Sequence, residues 1–106
     1  MISNTPPPPY YAVIFSSVRT ADTEGYAETD ALMSKLAHQQ DGFLGMEHAS
    51  SEIGITISYW RDVAAIKHWK DDLDHQKAQI EGKKTWYNQY KVRIAKVERD
   101  YDFLKK

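Results

Sequence analysis

Residues 43–60 read FLGMEHASSEIGITISYW, and the way this stretch folds decides the architecture of the chain. It holds two extended runs, Phe43 to Ser50 and Ile53 to Trp60, on either side of the polar pair Ser51-Glu52, so a hairpin is the simplest connection. Side chains alternate along a strand, which puts Ile53, Ile55, Ile57 and Tyr59 on one face and Gly54, Thr56, Ser58 and Trp60 on the other. At least one face of the hairpin is therefore committed to a core.

On the N-terminal side, Tyr10 to Val18 (YYAVIFSSV) is an apolar and aromatic run rich in strand formers and predicts a first strand. Between it and the hairpin, Tyr26, Thr29, Leu32, Met33, Leu36 and Ala37 recur at helical spacing, with Asp22 or Thr23 placed to cap the start and Asp41-Gly42 to stop the end. Beyond the hairpin, Asp62 caps a second helix whose buried stripe is Ala65, Ile66, Trp69 and Leu73. A further helical stretch from Asp74 to about Tyr87 brings His75, Ala78, Gln79, Gly82 and Trp86 close to one side, with Gly82 loosening a turn. Finally, Gln89 to Arg99 alternates through Tyr90, Val92 and Ile94 and slips at Ala95 and Val97, as it would across a β-bulge.

Strand, helix, strand, strand, helix, strand is the order of an α+β, ferredoxin-like βαββαβ fold, in which helices cover one face of a four-stranded antiparallel sheet. The other face, carrying Tyr, Phe, Ile and Val, would be a large exposed apolar patch, so a homodimer packed sheet against sheet is expected. The chain of 106 residues is the size of one domain. Its expected division is a proline-rich arm over residues 1–9, a folded domain over residues 10–101 and a tail over residues 102–106. Four consecutive prolines favour an extended arm without sheet donors, so the arm is expected to contribute little to the core.

Composition removes several function classes. A formal net charge of −1 with basic residues spread along the chain leaves no footprint for nucleic acid. The absence of cysteine excludes disulfides, thiol nucleophiles and Cys-ligated metal centres, and it suits a reducing compartment. The start MISNTPPPPYY has no charged n-region followed by an apolar h-region, and no run is long enough to span a bilayer; no membrane partner and a cytoplasmic location are the expectations. There is no phosphate-cradling glycine loop, no paired carboxylates in an apolar context and no three-ligand metal spacing. What stands out is an aromatic content of 12%, with three Trp and seven Tyr, which suits a core, an interface or a slot for a planar ligand.

Three segments, Gln40-Asp41-Gly42-Phe43-Leu44-Gly45, Ile55-Thr56-Ile57-Ser58-Tyr59-Trp60 and Ala64-Ala65-Ile66-Lys67-His68-Trp69, resemble the antibiotic biosynthesis monooxygenase family. There a PGF or DGF-like turn opens strand two, a strand ends in YW and a short helix with a Trp follows. The likeness runs from about Tyr10 to Tyr101 and implies a dimeric α/β barrel. Haem-degrading members use a helical Trp, a His further along that helix and an Asn on strand one. The Trp has its counterpart in Trp69, but the other two positions fall on Gln79 and Ser16, and an amide is a poor substitute for an axial donor to iron.

The cofactor-free branch, which oxidises aromatic phenols and quinols with dioxygen, offers the better match. Its strand-end Trp corresponds to Trp60, and its strand-three Asn falls on Thr56, a weaker donor. The expectation is therefore a cofactor-independent monooxygenase of a small hydrophobic or aromatic molecule, with no cofactor and no metal. Its site would lie between helices and sheet near the end of strand three, with His75 and Thr56 as catalytic groups and Trp60, Trp69, Ser58 and Gln79 as substrate contacts. The alternative is a non-catalytic, dimeric small-molecule-binding or accessory protein. Trp60 and Trp69 also occupy positions where a large core side chain is ordinary, and His48 and His68 read as surface or strand-face residues.

Overall fold

A computed structural model describes residues 1–77 and 86–106, with the backbone alone for residues 74–77. The elements run β1 (Tyr10–Arg19), α1 (Tyr26–His38), β2 (Phe43–Ser50), β3 (Gly54–Trp60), α2 (Val63–Lys77) and β4 (Tyr87–Val97). The strands form one antiparallel sheet in the order β2-β3-β1-β4. β3 thus lies between β1 and β2, which are joined by α1, and the result is the α+β, ferredoxin-like arrangement expected from the order of elements.

Residues opposite each other on antiparallel strands point to the same face, so the register assigns each side chain. Tyr11, Val13, Phe15 and Ser17 of β1 align with Trp60, Ser58, Thr56 and Gly54 of β3, and this face receives the helices. Ala37 from α1 and Ala65, Ile66 and Trp69 from α2 pack with Trp60 as the buried cluster, flanked by Tyr11, Val13, Leu36, Phe43, Met46 and Leu73. The opposite face carries Tyr10, Ala12 and Ile14 of β1, Ile55, Ile57 and Tyr59 of β3 and Ala95 and Val97 of β4.

Trp60 is the centre of the packing. It is 0% exposed, stacks on Trp69 with centroids 6.1 Å apart and meets the edge of Phe43 at 5.4 Å. Its indole N–H donates to Ser58 Oγ at 2.9 Å, so burial leaves no polar atom of the ring unsatisfied. The stripe expected on the second helix is the one observed, and Asp62 does cap it, Oδ1 accepting the Ala65 N–H at 2.8 Å.

Four boundaries differ from the sequence reading. The cap of α1 is Gly25 with no side-chain bond; Asp22 instead accepts the Glu24 N–H at 3.1 Å in a local turn before the helix. The hairpin loop has three residues, Ser51, Glu52 and Ile53, because Ser50 pairs with Gly54. β4 begins at Tyr87, the residue at which the sequence pattern ends the preceding helical stretch, and its irregularity lies opposite Val18/Arg19 and not at Ala95 and Val97. Ala95 and Val97 face Ala12 and Tyr10 in regular register, so the apolar slip marks residues serving the second sheet face. The break expected at Gly82 lies outside the described residues.

The proline-rich arm stays out of the core but is docked. The Ser3 N–H donates to Glu47 Oε2 at 2.8 Å, Ser3 Oγ donates to the Met46 carbonyl at 3.2 Å, and Ser3 lies against Gly45, where an added Cβ would come within 2.7 Å of it. Replacing Trp60 by Ala removes the central ring and leaves Ser58 without its donor. The expected loss is about 4 kcal/mol of unfolding free energy, read from urea denaturation, while Trp60→Phe should retain more than half of the stability.

Candidate functional site

Across the helix-side face, one register row aligns His48 of β2, Thr56 of β3, Phe15 of β1 and Val92 of β4. His48 Nδ1 lies 2.8 Å from Thr56 Oγ1. Above Phe15 stands an aromatic group: Phe15 meets Tyr87 edge-on at 5.5 Å and stacks with Tyr90 at 5.4 Å, and Tyr26 of α1 meets Trp86 at 5.4 Å and Tyr87 at 6.2 Å. Trp86 is pinned by its indole N–H to the Glu24 carbonyl at 2.9 Å, and the Arg19 guanidinium covers the Tyr26 ring at 4.5 Å. Burial pushes the Tyr87 phenol well above its ordinary value, with a bond to Tyr26 adding to it.

The helix-side face thus has two aromatic ends. At the strand-three end the expected cleft is filled by the Trp60–Trp69 stack, and Ser58 is buried and occupied by the Trp60 indole. Thr56 lies further along and carries the His48 contact. Of the other expected site residues, His75 belongs to the backbone of α2 with its side chain outside the description, and Gln79 lies outside the described residues. The sequence reading missed His48, whose signal is the register: only a three-residue loop puts it opposite Thr56.

His48 also lines an open groove of about 810 Å³ that wraps the outer edge of β2, together with Met1, Ile2, Met46, Glu47 and Tyr59. Met46 and His48 face the helices, whereas Glu47 and Tyr59 belong to the other face. There two tyrosines hold a polar network. Tyr59 OH donates to Glu47 Oε1 at 2.6 Å, Thr5 Oγ1 donates to Tyr10 OH at 3.0 Å, and Tyr10 OH donates to Asp100 Oδ2. Burial first, and the Glu47 carboxylate second, push the Tyr59 phenol up to about 12. The bond to Asp100 is the main cause that raises Tyr10.

Near the turn before β2, Arg61 grips Asp41 through both terminal nitrogens at 3.1 Å each. That guanidinium holds the Asp41 carboxyl below the usual range. The pair is exposed and far from the His48 row, and it reads as a brace on the turn. Among the described residues no group of three metal-ligating side chains comes together, and no helix is long and apolar enough to cross a membrane.

No family model matches the chain. Its fold is that of the antibiotic biosynthesis monooxygenase type. It superposes on SnoaB, a cofactor-independent oxygenase from Streptomyces nogalater, with a TM-score of 0.64 at 10% identity, over 92% of this chain and 100% of that one. It superposes equally on a candidate antibiotic biosynthesis monooxygenase from Nitrosomonas europaea, with a TM-score of 0.63 at 13% identity, over 87% and 92% of the two chains. In sequence it is 50% identical over 100 residues to the uncharacterized protein YqjZ of Bacillus subtilis, covering 92% of this chain and 88% of that one, and it belongs to the YqjZ family.

The Tyr59 geometry has a spectroscopic consequence. A phenol raised above its unfolded value favours the neutral form in the fold, so its contribution to stability is complete below about pH 10 and is lost as pH rises towards 12. Alkaline titration at 295 nm should show a late step near pH 12 that Tyr59→Phe removes, and a single set of steps near pH 10 would contradict the burial and bonding described.

Proposed function

We propose that the protein is a cofactor-independent monooxygenase that oxidises a small aromatic phenol or quinol, working as a homodimer in the cytoplasm. The observation that carries this reading is the His48–Thr56 contact beside the Phe15 ring, on a side chain that also opens to the groove at β2. In the tautomer that donates from Nδ1 to Thr56, Nε2 keeps its lone pair and can accept a phenolic proton. The resulting anion gives an electron to dioxygen, the radical pair recombines as a peroxide on carbon, and loss of water turns the activated CH2 of an anthrone into a carbonyl, or the ring C–H of a quinol into the C–OH of a hydroxyquinone. One oxygen atom stays in the product and the other leaves as water, with no further reductant. Such chemistry needs a slot, a base and donors for the oxyanion, and little else from the protein.

In this reading Trp60, Ser58 and Trp69 form the packed floor next to Thr56. The likeness to a cofactor-independent oxygenase supports the reaction class. The alternative, a non-catalytic dimeric binder of a hydrophobic small molecule, draws on the enclosure of Trp60, whose indole already has its partner.

Oxygen uptake with hydroquinones and anthrone-type phenols, without metal or flavin, tests the enzyme. His48→Gln and Thr56→Val should each lower kcat about 100-fold if they hold and position the base. No uptake, with saturable quenching of tryptophan fluorescence, would establish the binder instead; haem binding with ring opening would overturn both.

The homodimer rests on the sheet face that carries Ile14, Ile55, Ile57 and Ala95, where Ile55 remains 40% exposed. Sedimentation equilibrium at micromolar concentration should give twice the chain mass of 12.3 kDa. A stable monomer would remove this part of the reading.

A further inference from the structure

We infer that the helix-free sheet face pairs with a second copy about a two-fold axis parallel to the strands, so that Glu47 at one margin meets Arg93 of the second copy; this rests on the homodimer proposed above. One register row carries the inference. On that face Glu47 of β2 aligns with Ile57 of β3, Ile57 with Ile14 of β1, and Ile14 with Arg93 of β4. From margin to margin the row reads acid, apolar, apolar, base. Its two charges lie roughly 15 Å apart, three strand spacings, which is too far to pair within one chain. Glu47 accepts from the Tyr59 hydroxyl and the Ser3 N–H, both neutral donors. Among the described residues neither Glu47 nor the exposed Arg93 has a counter-charge within ion-pair distance.

Two stacked sheets stand about 10 Å apart, a gap that long side chains at their margins bridge. A two-fold axis in the plane between them can run along the strands or across them, and the row distinguishes the two. Along the strands, the row meets its own reverse: Glu47 faces Arg93 of the second copy, Ile57 faces Ile14, and both margins gain an ion pair. Across the strands, Glu47 would face Glu47 and Arg93 would face Arg93, a like-charge contact at each margin. The neighbouring row of Ala49, Ile55, Ser16 and Lys91 agrees, since its one charge faces Ala49 in the first arrangement and another Lys91 in the second. Towards Tyr10 the face is already covered within the chain, with Tyr10 and Ala12 each 5% exposed against 40% for Ile55, so these two rows are what a partner can reach.

Charge reversal in the full chain tests the axis. Arg93→Glu should weaken dimerisation about 10-fold in sedimentation equilibrium at low salt, and adding Glu47→Lys should restore it. Because Glu47→Lys also removes the acceptor of Tyr59 and Ser3, a second measurement leaves that side chain in place. The chain has no cysteine, so a short bismaleimide should join two copies of the Ala49→Cys/Lys91→Cys variant through position 49 of one and position 91 of the other. Either single variant should give no covalent dimer. Cross-linking of Ala49→Cys alone, or a dimer indifferent to Arg93→Glu, would overturn the axis and leave the homodimer standing. A wild-type chain that is monomeric throughout would overturn both.

Discussion

The first turn of α2 passes so close to the turn before β2 that a Cβ on Gly42 would stand 2.6 Å from that of Ala65. Gly42 also adopts φ 88, where a side chain is strained, so two independent constraints keep this position bare. The Arg61 N–H donates to the Gly42 carbonyl at 2.8 Å, and the Arg61–Asp41 grip closes the corner from outside. With α2 held at that height, Trp69 comes down on Trp60, Trp60 turns its N–H to Ser58, and Phe43 closes the edge. The packed end of the helix-side layer follows from this approach, and any chemistry is left to the rows further from it.

The two sheet faces then divide their tasks. Towards the helices, His48, Thr56 and Phe15 form a row between two aromatic ends, and the polar contact within it lies at the exposed margin of the sheet. On the other face the isoleucines share space with a tyrosine network that gathers both chain ends. β2 joins the two because adjacent residues of its edge, Glu47 and His48, point to opposite sides of the sheet and meet around the same groove. A strand at the margin of a sheet can do this; an interior one cannot.

Much of the architecture was legible in the residue pattern. Strong strand formers in β1, the bounds of β2, the capping Asp62 and the stripe of Ala65, Ile66 and Trp69 all follow from periodicity and local hydrogen bonding, which act over a few residues. The candidate site was less so. A two-residue connection at Ser51-Glu52 would pair His48 with Ile55, and one added residue moves it to Thr56 and changes the chemistry of the row. Loop geometry is set by backbone dihedrals that neither alternation nor composition reports. The same holds for Ala95 and Val97, which looked like an irregularity because their partners, Ala12 and Tyr10, lie far away in sequence.

Residues 5 and 100 meet on one phenol, since the Tyr10 hydroxyl accepts from Thr5 and donates to Asp100. A chain whose two ends converge in this way is easily duplicated in tandem, because a short linker suffices to run from the end of one repeat to the start of the next. It is also a natural scaffold for circular permutation, with new ends opened in the Ser51–Ile53 loop and the old ones joined beside Tyr10. A segment inserted in the hairpin loop, at the far end of the strands from Tyr10, would by the same geometry leave that neighbourhood clear.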